Sequence, residues 1–231
     1  MIKRLIDQVV LALFFRVFLR ESPSLITIGT ECPWTFDPRG LGPASRVLSA
    51  GVGGDITFEL ELVKRYGCQV LLMDPSPTGA ATIDKLQPLP PEIAFLPAGL
   101  AGKSETHRFS APIYADEGSF RLATGLDTEG QYQWECYGIE DVLKKRGWSS
   151  IDLLKMDIES FEYEVLSHLP VETIPIKQIC VEFHFGEGYP HRFRHVISSI
   201  LRLHRQGYRL VHRFMRDYTF LKGDSSESSE R

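Results

Sequence analysis

The sequence predicts an α/β fold, a mostly parallel sheet flanked by helices, on three observations. Residues 47 to 59, Val-Leu-Ser-Ala-Gly-Val-Gly-Gly-Asp-Ile-Thr-Phe-Glu, join a short apolar run to a glycine-rich turn and then to an amphipathic helix continuing through Leu60, Leu62, Val63 and Tyr66. Strand-like runs at residues 69 to 73 and 93 to 96 end in turn-prone residues, Asp74-Pro75-Ser76-Pro77 and Pro97-Ala98-Gly99-Leu100. Residues 151 to 156, Ile-Asp-Leu-Leu-Lys-Met, read as a buried strand feeding a helix that begins near Ser160. Strands alternating with helices at this spacing indicate βαβ units.

At 231 residues, with 43% hydrophobic and 24% charged residues, the chain is long enough for one substantial core and one α/β domain with a small extension. The net charge of -4 conceals a segregation: residues 191 to 216 hold seven Arg, four His and no acid, whereas residues 152 to 164 hold five Asp or Glu. Arginines on the wet faces of a helix and a strand account for the basic stretch, so nucleic-acid binding is not expected. Cys32, Cys68, Cys136 and Cys180 are far apart, with no C-x-x-C pair, and indicate no zinc site. The chain contains no Asn, hence no N-glycosylation sequon, and nothing favours an oxidising compartment. A cytoplasmic location follows as the expectation.

Residues 1 to 44 form an N-terminal amphipathic helix and a lead-in segment. Ile2, Leu5, Ile6, Val9, Val10, Leu13, Phe14 and Val17 recur at helical spacing beside Lys3, Arg4, Arg16 and Arg20. The apolar run from 9 to 15 is too short to span a bilayer, and Arg16 interrupts it. Glu21-Ser22-Pro23 makes a poor signal cleavage site. The expectation is a helix packed on the domain or on a second copy of the chain; an in-plane membrane anchor is the alternative.

The glycine turn brings backbone and ligand close, and the helix after it offers free N–H groups to a polar or anionic ligand. By itself it allows an empty βα corner, a dinucleotide site or another nucleotide-like cofactor. A dinucleotide fingerprint from Gly51 needs its third glycine at 56, which is Ile56. Asp74 lies 21 residues beyond Gly53, where a carboxylate at the second strand's tip accepts from a ribose diol. Gly102-Lys103-Ser104 resembles the end of a phosphate-binding loop, but the glycine required five residues earlier is Pro97, which removes a nucleoside triphosphatase.

Residues 105 to 137 alternate polar with aromatic or aliphatic residues around Gly118, Gly125 and Gly130, which predicts a β-rich insertion. A helix at residues 139 to 146 follows, stopped by Gly147. Asp157 and Glu159 lie at the carboxyl end of the strand at 151 to 156, the edge where open α/β sheets bind ligands. Asp152 at the opposite end and Glu162 and Glu164 on the helix are expected to be solvated. A further strand at residues 176 to 185 carries Glu182 and His184 at its tip, on one side by alternation.

The order S-A-G-V-G-G-D-I-T-F-E, L-M-D-P-S-P, I-D-L-L-K-M-D-I-E-S-F-E-Y-E-V-L and V-E-F-H resembles the FkbM-type methyltransferases, a branch of the S-adenosylmethionine-dependent enzymes, over about residues 45 to 222. The resemblance implies a Rossmann-like, seven-stranded, mostly parallel sheet of the class I methyltransferase type with one antiparallel strand near the end, beside the N-terminal helix and the β-rich insertion. Its glycine loop maps to Gly51 and Gly53, its ribose-binding acid to Asp74, and its acidic motif to Asp157 and Glu159. The family's helix-start glycine is here Ser160. S-adenosyl-L-methionine is therefore the expected cofactor, held by Ser49, Gly51, Val52, Gly53, Asp55, Asp74, Pro75, Gly99 and Leu100. The tail fits this fold: a helix from 193 to 204 with Val196, Ile197, Ile200, Leu201 and Leu203 inward, Gly207 as its stop, and a closing hairpin at 208 to 214 and 218 to 221, before a disordered end at 223 to 231.

Methyl transfer to oxygen needs mainly placement of donor and nucleophile and removal of a proton. Asp157, Glu159, Glu182 and His184 are the expected catalytic set, with His184 or Asp157 as general base, because an unperturbed histidine titrates at about 6.5. No metal is expected; the alternative is a divalent ion on Asp157, Glu159 and His184 that acidifies the hydroxyl. The expected acceptor is a small molecule, sugar or lipid hydroxyl. The rival readings are an NAD-dependent oxidoreductase and a non-catalytic α/β interaction module.

Overall fold

A computed structural model describes residues 13–111, 120–122, 132–186 and 188–223. Its strands are β1 (Ile26–Ile28), β2 (Trp34–Phe36), β3 (Arg46–Ala50), β4 (Gln69–Met73), β5 (Ile93–Leu96), β6 (Gly99–Leu100), β7 (Glu105–Ser110), β8 (Arg121–Leu122), β9 (Tyr132–Tyr137), β10 (Ile151–Met156), β11 (Ile176–Glu182), β12 (Tyr208–Phe214) and β13 (Asp217–Lys222). The helices are α1 (Thr57–Tyr66), α2 (Pro77–Lys85), α3 (Ile139–Arg146), α4 (Glu162–Ser167) and α5 (Phe193–Arg205).

Seven strands form one sheet in the order β12-β13-β11-β10-β3-β4-β5. The five from β11 to β5 pair in parallel, and β13 runs antiparallel to both of its neighbours. The sheet is thus mixed, with its one reversed strand in the tail, as the hairpin pattern after Gly207 implied. The chain enters the sheet at β3, winds outward through β4 and β5, then returns to lay β10 on the other side of β3. This reversal makes the carboxyl ends of β3 and β10 the topological switch point, where such sheets open a ligand crevice.

Both faces of the central strands are buried, so the strands read as apolar runs rather than alternations. Leu48 and Ala50 of β3 pack with Leu71, Met73, Leu154 and Met156 under α3 and α5. Val47 points to the opposite layer, with Val70, Leu72, Leu153 and the α1 residues Phe58 and Leu62. Helix ends follow local chemistry: Ser76 caps α2 by accepting from the Gly79 N–H at 3.0 Å ahead of Pro77, and Gly67 ends α1 at φ 67°. On α5, Val196, Ile200 and Leu203 are buried, while Ile197 and Leu201 are only half-buried.

Two features depart from the expected organisation. The segment assigned to a lead-in contains the β1–β2 hairpin, whose Trp34 and Phe36 are buried against α1. Its far end is tied to β11 by the Gln178 side chain, which accepts from the Asp37 N–H at 3.0 Å and donates to the Asp37 carbonyl at 2.9 Å. In the second, Asp152 and Glu162 are buried, not solvated; Asp152 accepts from the Arg46 N–H and pairs with Lys177 at 2.6 Å. Glu164 is half-buried.

Residues 13 to 18 are helical and lie on the tail hairpin. Phe15 is buried beside Phe193 and Tyr218, with the Arg213 guanidinium 4.0 Å from its ring centre, while Leu13 and Val17 remain exposed. The part of the expected N-terminal helix before residue 13 lies outside the described residues, as do positions 112–119 and 123–131 of the insertion and the end from 224. The described strands of the insertion, β7, β8 and β9, join β6 from outside it in a separate sheet of order β6-β9-β7-β8. Among the described residues no helix is long and apolar enough to cross a membrane.

The turn between β10 and α4 is strained. Glu159 and Ser160 both have positive φ, 49° and 90°, and the buried Ser160 hydroxyl has no hydrogen-bond partner. The helix therefore starts at Glu162 rather than near Ser160. Replacing Ser160 by Gly removes the Cβ strain and the orphaned hydroxyl, and should raise unfolding stability by about 1 kcal/mol in chemical denaturation.

Candidate active site

The glycine turn after β3 lies against the end of β10. Gly51 has φ 89°, and a Cβ there would stand 1.8 Å from the Asp157 carbonyl oxygen, so only glycine fits. The N–H groups of Val52 and Gly53 in the turn are engaged within the protein. Asp74, at the tip of β4, accepts from Val52 N–H at 2.9 Å and Gly53 N–H at 3.0 Å through Oδ2, and from Ser76 N–H at 2.8 Å through Oδ1. The acid read as a ribose ligand is thus first a brace that shapes the turn. Its oxygens keep lone pairs for a further donor on the cavity side. Loss of this brace in Asp74→Ala should cost about 1–3 kcal/mol of stability and weaken S-adenosylhomocysteine binding at least roughly tenfold in calorimetry.

Asp55 is likewise committed to the backbone. Its carboxylate accepts from the Thr57 N–H and hydroxyl at the start of α1 and from the Cys32 N–H. Ser49 does not reach the ligand crevice: it faces inward, where its hydroxyl donates to the buried Glu59 carboxylate. Strand alternation puts its side chain under the turn rather than over it.

Above the turn opens a cavity of about 220 Å³. Its floor is Gly51, Val52, Gly53, Asp55, Asp74 and Pro75, and Gly99 and Leu100 contribute one side. The other side is aromatic, formed by Phe109, Phe120, Trp134 and Phe161. Lys155, Asp157 and Glu159 close the polar end. An apolar slot beside a carboxylate and a polar terminus fits an adenine, a ribose and an amino-acid moiety in that order. Lys155 was not singled out in the sequence, although a charge inside the apolar run of β10 is the signal that could have found it. Its ammonium donates to the Gly51 carbonyl at 2.6 Å and sits 5.1 Å from the Trp34 ring centre.

A second cavity, of about 470 Å³, adjoins the first and shares Cys32 and Asp157 with it. Trp34, His212 and Phe214 line it together with Glu182 and Asp217, which face each other across β11 and β13. Burial and the nearby Asp157 push the Glu182 carboxyl up to about 7 and the Asp217 carboxyl up to about 6.

His184 lies behind this wall, 4% exposed, and lines neither cavity. Its Nε2 is 3.7 Å from Asp157 Oδ1, 3.6 Å from Glu159 Oε1 and 3.8 Å from Glu182 Oε1, while Nδ1 is 3.4 Å from Glu162 Oε1. Burial alone would lower its pKa, but Glu162, Glu159 and Asp157 more than offset this and raise it to about 10. His184 reaches neither cavity, so it is not placed to take a proton from an acceptor bound in them. Glu162, expected to be solvated, is instead buried and fixes the main chain at this histidine: its carboxylate accepts from the backbone N–H of His184 at 2.6 Å and the backbone N–H of Ser160 at 2.9 Å. The structure therefore brings Asp157, Glu159, Glu182 and His184 together, but presents only the three carboxylates to the cavities.

No curated protein matches the chain by sequence. One solved structure, the crystal structure of M. jannaschii TYW2 in complex with AdoMet, superimposes with a TM-score of 0.39 at 13% identity, covering 89% of this chain and 90% of that one. The methyltransferase FkbM domain matches residues 43–210, which include the glycine turn, Asp74 and the acidic motif of β10. With that domain spanning most of its length, the chain belongs to the FkbM methyltransferases, enzymes that use S-adenosyl-L-methionine.

Proposed function

We propose that the chain methylates a hydroxyl oxygen of a small acceptor, such as a sugar, lipid or other small molecule. The observation that carries this reading is that the two cavities meet at Asp157. The first cavity takes S-adenosylmethionine, with Asp74 accepting from the ribose and the Phe109, Phe120, Trp134 and Phe161 wall covering the adenine. Bound there, it supplies an electrophilic methyl group. The second cavity takes the acceptor. Its Trp34 and Phe214 offer flat apolar surface, and Glu182 and Asp217 accept from the hydroxyls that flank the reacting one. Asp157 accepts the proton lost by the oxygen being methylated, a role that requires it to reach both cavities. Lys155 holds the Gly51 carbonyl and so keeps the turn in register with β10. Closeness and orientation supply most of the acceleration in such a site.

The test is incubation with methyl-tritiated donor and a panel of sugars, hydroxy lipids and phenols. Label recovered in a base-stable ether supports O-methylation of a hydroxyl. Label released as methanol by mild base, or retained on an amine, contradicts it.

A further inference from the structure

The carboxylates around His184 stand within ion-pair range of its ring but beyond hydrogen-bond range, at 3.4–3.8 Å. A protonated imidazole draws an adjoining carboxylate to about 2.8 Å. Here neither ring nitrogen is so engaged. Nδ1 has no hydrogen-bond partner, and Nε2 faces Asp157, Glu159 and Glu182 at a near-uniform 3.6–3.8 Å. Two donors each about 2.1 Å from one ion lie about 3.0 Å apart at right angles and about 4.2 Å apart in line. The observed spacing falls between those limits. Among the described residues the ligand atoms of Asp157, Glu182 and His184 all lie within 4.8 Å of one another. This deeply buried histidine aims Nε2 at several carboxylates, and Glu162 Oε1 stands 3.4 Å from Nδ1, on the side from which a carboxylate commonly orients a metal-bound imidazole.

We propose that Asp157, Glu182 and His184 hold one divalent cation of the magnesium or manganese kind. The donor set decides the class: oxygen dominates and no thiolate contributes, which suits Mn²⁺ and Mg²⁺ better than a tetrahedral zinc centre. Glu182 replaces Glu159 in the trio named from sequence. Glu159 Oε1 also stands 3.6 Å from Nε2, but Glu159 is not in the group whose ligand atoms all converge within 4.8 Å, and its Oε2 accepts from the Tyr189 hydroxyl at 2.9 Å. The site adjoins the wall shared by both cavities and shares Asp157 and Glu182 with the methyl-transfer reading, but it rests on donor geometry alone.

The test is a Mn²⁺ titration of the EDTA-stripped full chain, followed by loss of the free-ion electron paramagnetic resonance signal. One Mn²⁺ per chain is expected. Glu182→Gln and His184→Gln should each weaken uptake by roughly tenfold or more, with thermal melts verifying that the variants fold. Should His184→Gln fail to fold, Glu182→Gln decides. His107→Gln, in the separate Glu105, His107 and Glu164 cluster, should leave uptake unchanged. No uptake at about 1 mM Mn²⁺, uptake indifferent to Glu182→Gln, or uptake lost in His107→Gln would overturn the proposal. Titration of the same preparations with S-adenosylhomocysteine separates the two readings: Mn²⁺ uptake without it retains the cation site and removes the methyltransferase, and the reverse removes only the cation.

Discussion

Asp157→Asn should lower methyl transfer by about 10²- to 10⁴-fold while leaving S-adenosylhomocysteine affinity within a few-fold. The reason is positional. Asp157 lines both cavities, and its backbone is fixed independently of its side chain, through its N–H to the Ala50 carbonyl at 3.0 Å. Substitution by the isosteric amide therefore removes a proton acceptor without moving the strand. Single-turnover methyl transfer with an accepted substrate, beside a calorimetric titration of the same protein, separates the two effects. Equal loss of turnover and of donor binding would instead make Asp157 a donor ligand with no separate part in catalysis.

Gly51→Ala should be the most damaging conservative change in the chain, costing about 3 kcal/mol or more in denaturant unfolding and abolishing donor binding in whatever protein still folds. Two independent penalties combine there. The residue sits at φ 89°, which side chains rarely adopt, and the added Cβ would stand 1.8 Å from the Asp157 carbonyl oxygen. The clash is with backbone, so no rotamer relieves it. Separation of β3 from β10 would also separate the glycine turn from Asp157 and so dismantle the crevice. Gly53→Ala is the comparison: it has positive φ but nothing within 4 Å of its Cβ, and should cost only the smaller backbone strain.

The contrast between these two glycines shows what was legible in the sequence. Gly51, Gly53 and the acids at 74, 157 and 159 stand at strand tips, and strand tips follow from apolar periodicity and turn residues. The same logic located the β12–β13 hairpin from Gly207 onward. What escaped depends on contacts between distant parts of the chain. Glu162 shows a helical pattern that would equally suit a solvated face, and only the arrival of His184 from β11 shows it to be buried. The β1–β2 hairpin has strands of three residues, too short for a period-two signal, and is fixed by Gln178 from far along the chain. The spacing of Asp74 marks it as a ligand because ligands share its place in the pattern; its bonds to Val52 and Gly53 depend on a turn geometry that spacing does not express. His184 shows the same limit in its chemistry. A histidine at a strand tip is a candidate base, and only the packing of the turn after β10 shows that its ring lies behind the cavity wall, out of an acceptor's reach.

If the crevice above Gly51 holds the methyl donor and Asp74 shapes it, calorimetric titration of the full chain with S-adenosylhomocysteine shows it most directly, with NADH as the competitor the glycine turn alone would also allow. One S-adenosylhomocysteine per chain is expected, with at least roughly tenfold weaker binding in Asp74→Ala and no heat with NADH. Binding of NADH in place of S-adenosylhomocysteine, or S-adenosylhomocysteine binding unchanged in Asp74→Ala, would contradict it.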